Sequence, residues 1–176
     1  MRMDGFYREM PVVSALLIIV ILLLTIPASA TNLTCSVTGQ YADMNLVQGS
    51  TVYNSTAADG VNVTVVSDGS WKLTVYDNLT QSKPSGTEGH MAEWDGSGYV
   101  SSGGVLTSPL QISGDGSSFF SVPAQSSPQQ IAVGIANTPE GSNIYPVFRQ
   151  VVAADEHAVS KNDVYRIILT FEATSV

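Results

Sequence analysis

The chain has 176 residues, seven Lys/Arg against fifteen Asp/Glu, a net charge of −8 and a single cysteine. That length holds one ordinary hydrophobic core, and a lone cysteine excludes an intramolecular disulfide. The acidic field makes nucleic acid and anionic lipid poor partners.

Arg2 and Arg8 precede an apolar run from Val12 to Ile26, and Pro27, Ala28, Ser29 and Ala30 then supply a helix stop and small residues suited to cleavage. Residues 1–30 read as an N-terminal hydrophobic helix acting as a cleaved signal peptide. The alternative is a retained membrane anchor, because the run with its flanks approaches the roughly 20 residues of a spanning helix. In either case the basic residues favour the cytoplasmic side and put residues 31–176 outside. Membrane contact is then confined to residues 12–30, and only if they stay uncleaved. Residues 31–176 keep five Lys/Arg and thirteen Asp/Glu, so their net charge is again −8.

From Thr31 onward, short alternating apolar runs are separated by Gly, Ser, Asn, Asp and Pro, the pattern of an antiparallel β protein. Leu33, Cys35 and Val37 alternate with polar neighbours and predict the first strand. Cys35 reads as a small buried strand residue, with pairing to another chain as the alternative. Val61, Val63 and Val65 predict a second strand running into Ser67, Asp68, Gly69 and Ser70. Asp-Gly suits a two-residue hairpin turn, because both central positions need positive φ. The expected return strand turns Trp71, Leu73 and Val75 into the core, with Lys72, Thr74 and Tyr76 opposite.

Residues 77–104, rich in Gly and Ser, predict a long loop with a short strand near His90 to Trp94. Trp94 and Tyr99 in that loop, with Tyr41, are candidates for stacking on a sugar, and local packing is the competing role. Further strands are expected within 104–113, 118–122, 129–135 and 145–152. The run from Val164 to Ala173 predicts one closing strand with Tyr165, Ile167, Leu169 and Phe171 on its core face. About seven to nine strands, no helix after residue 30, no internal repeat and no linker predict a single antiparallel β-sandwich, or a barrel, over residues 31–176.

Four N-x-[ST] sequons, at Asn32, Asn54, Asn62 and Asn78, are candidate glycosylation sites, although Thr-rich strands produce such triplets without sugar. His90 and His157 stand in different segments with no spaced partner, so no metal is expected. Asp95-Gly96-Ser97 and Asp115-Gly116-Ser117 lack the ligand register of a calcium loop and read as turns. No G-x-S-x-G elbow surrounds any serine. The expectation is therefore no catalytic residue, no cofactor and no enzyme. The enzymatic alternative is a small hydrolase with two convergent acids.

Val65-Val66-Ser67-Asp68-Gly69-Ser70-Trp71-Lys72-Leu73 resembles the first signature of WxL-domain proteins, and Val147 to Val152, Asp155 and Tyr165 to Phe171 resemble their closing strands. The second Trp-x-Leu is replaced by Phe171-Glu172-Ala173. The resemblance implies a β-sandwich fold and noncovalent attachment to a bacterial cell wall. Taken together, the sequence predicts a secreted or cell-surface module without turnover, contributing adhesion or envelope association. Its expected partners are an envelope component, a glycan or another surface protein. The alternative is a self-associating filament subunit in which an edge strand or the N-terminal segment completes the next copy.

Overall fold

The computed structural model describes residues 32–38, 48–54, 60–79, 83–135, 138–156, 159 and 163–176. The N-terminal hydrophobic segment and Tyr41 lie outside them. The described residues form twelve strands and no helix. In chain order these are β1 (Leu33–Thr38), β2 (Gly49–Asn54), β3 (Asn62–Ser67), β4 (Trp71–Asp77), β5 (Ala92–Trp94), β6 (Gln111–Ser113), β7 (Phe120–Ser121), β8 (Gln129–Gly134), β9 (Thr138–Ile144), β10 (Val147–Val152), β11 (Val164–Arg166) and β12 (Leu169–Ser175). Four antiparallel sheets result, ordered β1-β3-β9, β2-β10-β6-β7, β11-β5 and β12-β4-β8. The count exceeds the seven to nine expected because β2 and β9 fall where no strand is expected and the one closing strand divides into β11 and β12.

Period two decides which side chains go inside. Along β3 and β4 the burial alternates strictly, sending Val63 and Val65 inward from one strand and Trp71, Leu73 and Val75 from the other. These meet Leu110, Ile112, Val122, Ile144 and Phe148 in one core. Leu33 and Cys35 of β1, and Leu169, Phe171 and Ala173 of β12, pack against its margin. Each fully buried Val, Leu, Ile or Phe stabilises by about 1.5–3 kcal/mol. The arrangement is sandwich-like, with the sheets of β3 and β4 sharing this interior.

The expected hairpin between β3 and β4 is absent. β3 pairs with β1 and β9, whereas β4 pairs with β12 and β8. Residues 67–71 therefore form an arch that carries the chain from one sheet to another. Gly69 is not among the glycines of positive φ, so the two-residue hairpin turn does not form. Instead Ser67 Oγ donates to the Gly69 carbonyl at 2.8 Å and accepts the Gly69 N–H at 3.2 Å. The Asp68 carboxylate accepts the Asn32 N–H at 3.1 Å and Asn32 Nδ2 at 3.2 Å, tying the arch to the start of β1.

The closing run is also divided. β11 pairs with β5, and β12 pairs with β4 from Leu169↔Asp77 to Ser175↔Trp71. Between them, Ile167 packs on the main core and Ile168 on a second cluster of Ala92, Trp94 and Tyr99. The two neighbouring isoleucines point to opposite sides, as successive residues of extended chain do, and so reach different interiors. Tyr165 is half-buried on β11 and belongs to neither cluster.

Candidate functional site

Asp77 ends β4 in phase with Trp71, Leu73 and Val75, so its carboxylate enters the interior beside their side chains. A charge placed there needs a partner. Lys83 supplies it: Nζ is paired with Asp77 Oδ2, and both side chains are entirely out of solvent. The Gly89 N–H donates to the same oxygen at 2.8 Å. Asp77 Oδ1 has no hydrogen-bond partner among the described residues. The backbone is clamped on both sides, since the Asp77 N–H donates to the Pro123 carbonyl at 2.9 Å and the Asn78 N–H to the Ile168 carbonyl at 2.8 Å. Gly89 adopts φ 79°, and a Cβ there would run into the Val122 carbonyl, so only glycine brings its amide this close. Burial pulls the Lys83 ammonium below its ordinary pKa, opposed by its hydrogen bond to Asp77 and by the charges of Asp77 and Glu88.

The second cluster forms the adjoining wall. Trp94 and Tyr99 meet edge to face with ring centroids 5.1 Å apart, and each is only 7 % exposed. The Arg166 guanidinium lies 4.3 Å over the Trp94 ring, and Lys83 Nζ lies 6.0 Å from the Tyr99 centroid. Trp94 and Tyr99 are thus occupied by packing, and neither offers a free face for stacking. Burial first, then the Asp77 charge, pushes the Tyr99 hydroxyl up to about 12.

Glu93, in the middle of β5, is 2 % exposed and accepts the Gly104 N–H through Oε2 at 2.7 Å. Its carboxyl also hydrogen-bonds that of Asp163. Desolvation, that hydrogen bond and the charges of Glu93 and Asp95 hold Asp163 above the usual carboxylate range. The whole assembly is an amine on a carboxylate, an acid pair and a cation on an indole, all engaging groups of the same chain. Beside it runs an open groove of about 410 Å³ lined by Leu79, Glu88, Ala124, Gln125 and Ser126.

The remaining candidates fall apart from this centre. Asp95 Oδ1 accepts the Ser97 N–H and Oγ, both at 2.8 Å, and the Gly98 N–H at 2.9 Å. Asp115 Oδ1 does the same with the Ser117 N–H at 2.9 Å and Oγ at 2.7 Å. Both are turns whose oxygens face donors rather than a cation. The Ser117 backbone bond is the largest influence holding Asp115 down at about 2. His90 is half-buried, with Nδ1 2.7 Å from the Leu106 carbonyl. Among the sequons, Asn32 is exposed and bonded to Asp68, Asn62 Nδ2 donates to Asn143 at 3.2 Å, and Asn78 Nδ2 donates to Thr170 Oγ1 at 2.9 Å. Asn54 lies at the end of β2. Cys35 is a half-buried free thiol whose pKa burial raises.

Sequence reasoning passed over Asp77, Lys83, Gly89 and Asp163. The signal that finds Asp77 is its phase: it is the fourth residue of the inward set begun by Trp71, and an acid there demands a cation. Compared with known proteins, this chain matches no family model, no curated protein and no solved structure.

Proposed function

We propose that the chain is a non-enzymatic β-sandwich module that works outside the cell membrane, as a surface component contributing adhesion or envelope association. The observation that carries this reading is the inward orientation of its chemistry: Asp77, Lys83, Glu93, Asp163, Arg166 and Trp94 engage one another, so the centre serves to fasten the loop over residues 83–104 to β4, β5 and β11. The leader-like residues 1–30, the exposed sequon at Asn32 and the likeness of Trp71-Lys72-Leu73 to a WxL signature support the same placement. Two measurements on cells producing the chain test it. External protease should digest it on intact cells, and the purified chain should co-sediment with washed envelopes. Protection from protease in intact cells, or recovery only in the supernatant of the sedimentation, defeats the reading.

A second reading is favoured by one edge. Among the described residues β8 pairs only with β4, and Val133 near its end is 57 % and Ile135 just past it 89 % exposed. Apolar side chains beside unpaired strand amides invite a strand from another copy. A filament subunit built this way sediments as large, concentration-dependent species.

A further inference from the structure

We propose that Lys83 and Asp77 condense inside the folded protein to an intramolecular amide, Nζ to Cγ, closing residues 77–83 into a covalent loop. The inference stands independently of where the protein works.

Proximity and dryness come first. Nζ is already in contact with the carboxylate, and neither side chain reaches solvent. Groups held in this way react with effective concentrations of about 10⁵–10⁸ M. Hydrogen-bond satisfaction points the same way. An ammonium carries three donors, yet the acceptor Lys83 meets is one carboxylate oxygen, while Asp77 Oδ1 is buried without a partner among the described residues. A buried ion pair left incomplete at both ends is costly, and a neutral amide needs only one donor and one acceptor satisfied.

The two carboxylate oxygens are also inequivalent. Oδ2 is held by the Gly89 N–H at 2.8 Å. That donor stabilises the negative charge which gathers on Oδ2 when the amine adds to Cγ, and it remains as the partner of the finished amide carbonyl. Oδ1 accepts no hydrogen bond among the described residues and is the oxygen that departs. In the step the nitrogen lone pair forms Nζ–Cγ and the Cγ–Oδ1 bond breaks. Two of the three ammonium protons leave on Oδ1 as water, and the third stays as the amide N–H. Nothing is oxidised or reduced, and no co-reactant enters. Desolvation of Lys83 favours the neutral amine that attacks.

Peptide mass spectrometry of the purified full chain decides the matter. Trypsin does not cleave Lys83-Pro84, so residues 73–149 leave as one peptide carrying both partners. The expected peptide is lighter than its sequence by one water, and its fragments show backbone breaks outside 77–83 but none between them. Lys83→Met should restore the full mass. Asp77→Asn should condense with loss of ammonia and reach the same mass as the condensed wild type. A wild-type peptide of full sequence mass overturns the proposal. So does a missing water that the fragments place at Asp95-Gly96 or Asp115-Gly116, or one accompanied by breaks between residues 77 and 83, because cyclic imides of aspartate then account for it.

Discussion

Trp71 shows how much one side chain can hold. It is 2 % exposed, and its indole lies against Gly134 of β8 so closely that a Cβ on Gly134 would overlap the ring. Trp71→Ala should lower unfolding free energy by about 3–5 kcal/mol, as large-to-small changes of buried aromatics do. Gly134→Ala should lower it by about 1–3 kcal/mol through overpacking. Denaturant titration reads both, and a Trp71→Ala loss below about 1 kcal/mol would take the indole out of the core. Two acids respond to pH in opposite directions. Asp115, held down at about 2 by Ser117, contributes stability that is complete above the ordinary value of 3.8 and lost as pH falls through the window between them. Asp163, held above its ordinary value, contributes stability at low pH that is lost as pH rises through its raised pKa. Thermal melts across the acid range should therefore improve on the alkaline side for Asp163→Asn and flatten on the acid side for Ser117→Ala. Unchanged profiles would mean that neither carboxyl is coupled to folding.

Pairing is where element-level reasoning departs from residue-level reasoning. Alternation in Val61-Val63-Val65 and in Trp71-Leu73-Val75 marks the buried face correctly, but a hairpin and an arch bury the same face and differ only in neighbours. The register Cys35↔Val65 offers a direct check on the neighbour of β3. Residues directly opposed in antiparallel strands lie about 4.5–5.5 Å apart, within the reach of a disulfide. Val65→Cys should therefore form an intramolecular disulfide with Cys35 under mild oxidant, seen as a mobility shift reversed by reductant. A β3 paired with β4 instead would leave both thiols free. β9 is illegible for another reason: Pro139, Glu140 and Gly141 break any alternation, yet β9 pairs with β3 alone among the described residues and as an edge strand tolerates them. The Lys83–Asp77 pair was hidden because its lysine sits in a Gly/Ser-rich stretch with no periodicity of its own, and only the phase of β4 exposes the aspartate.

At the scale of the whole molecule, charge and the open edge of β8 oppose each other. A net charge of −8 makes copies repel, and salt screens that repulsion over about 8–10 Å at physiological strength. Association through β8 should accordingly strengthen as ionic strength rises, and Val133→Lys should weaken it at every salt concentration. Sedimentation velocity measures both, and association indifferent to Val133→Lys would move the contact elsewhere. The pairing of β12 with β4 has a further consequence, in time rather than in space. The inner strand that carries Trp71, Leu73 and Val75 receives one of its two neighbours from residues 169–175, about a hundred positions downstream. No earlier stretch of nascent polypeptide can finish that sheet, so the product emerging from a ribosome stays open until residue 175 is in hand, and a chain that stays open is one that can still be threaded through a narrow pore.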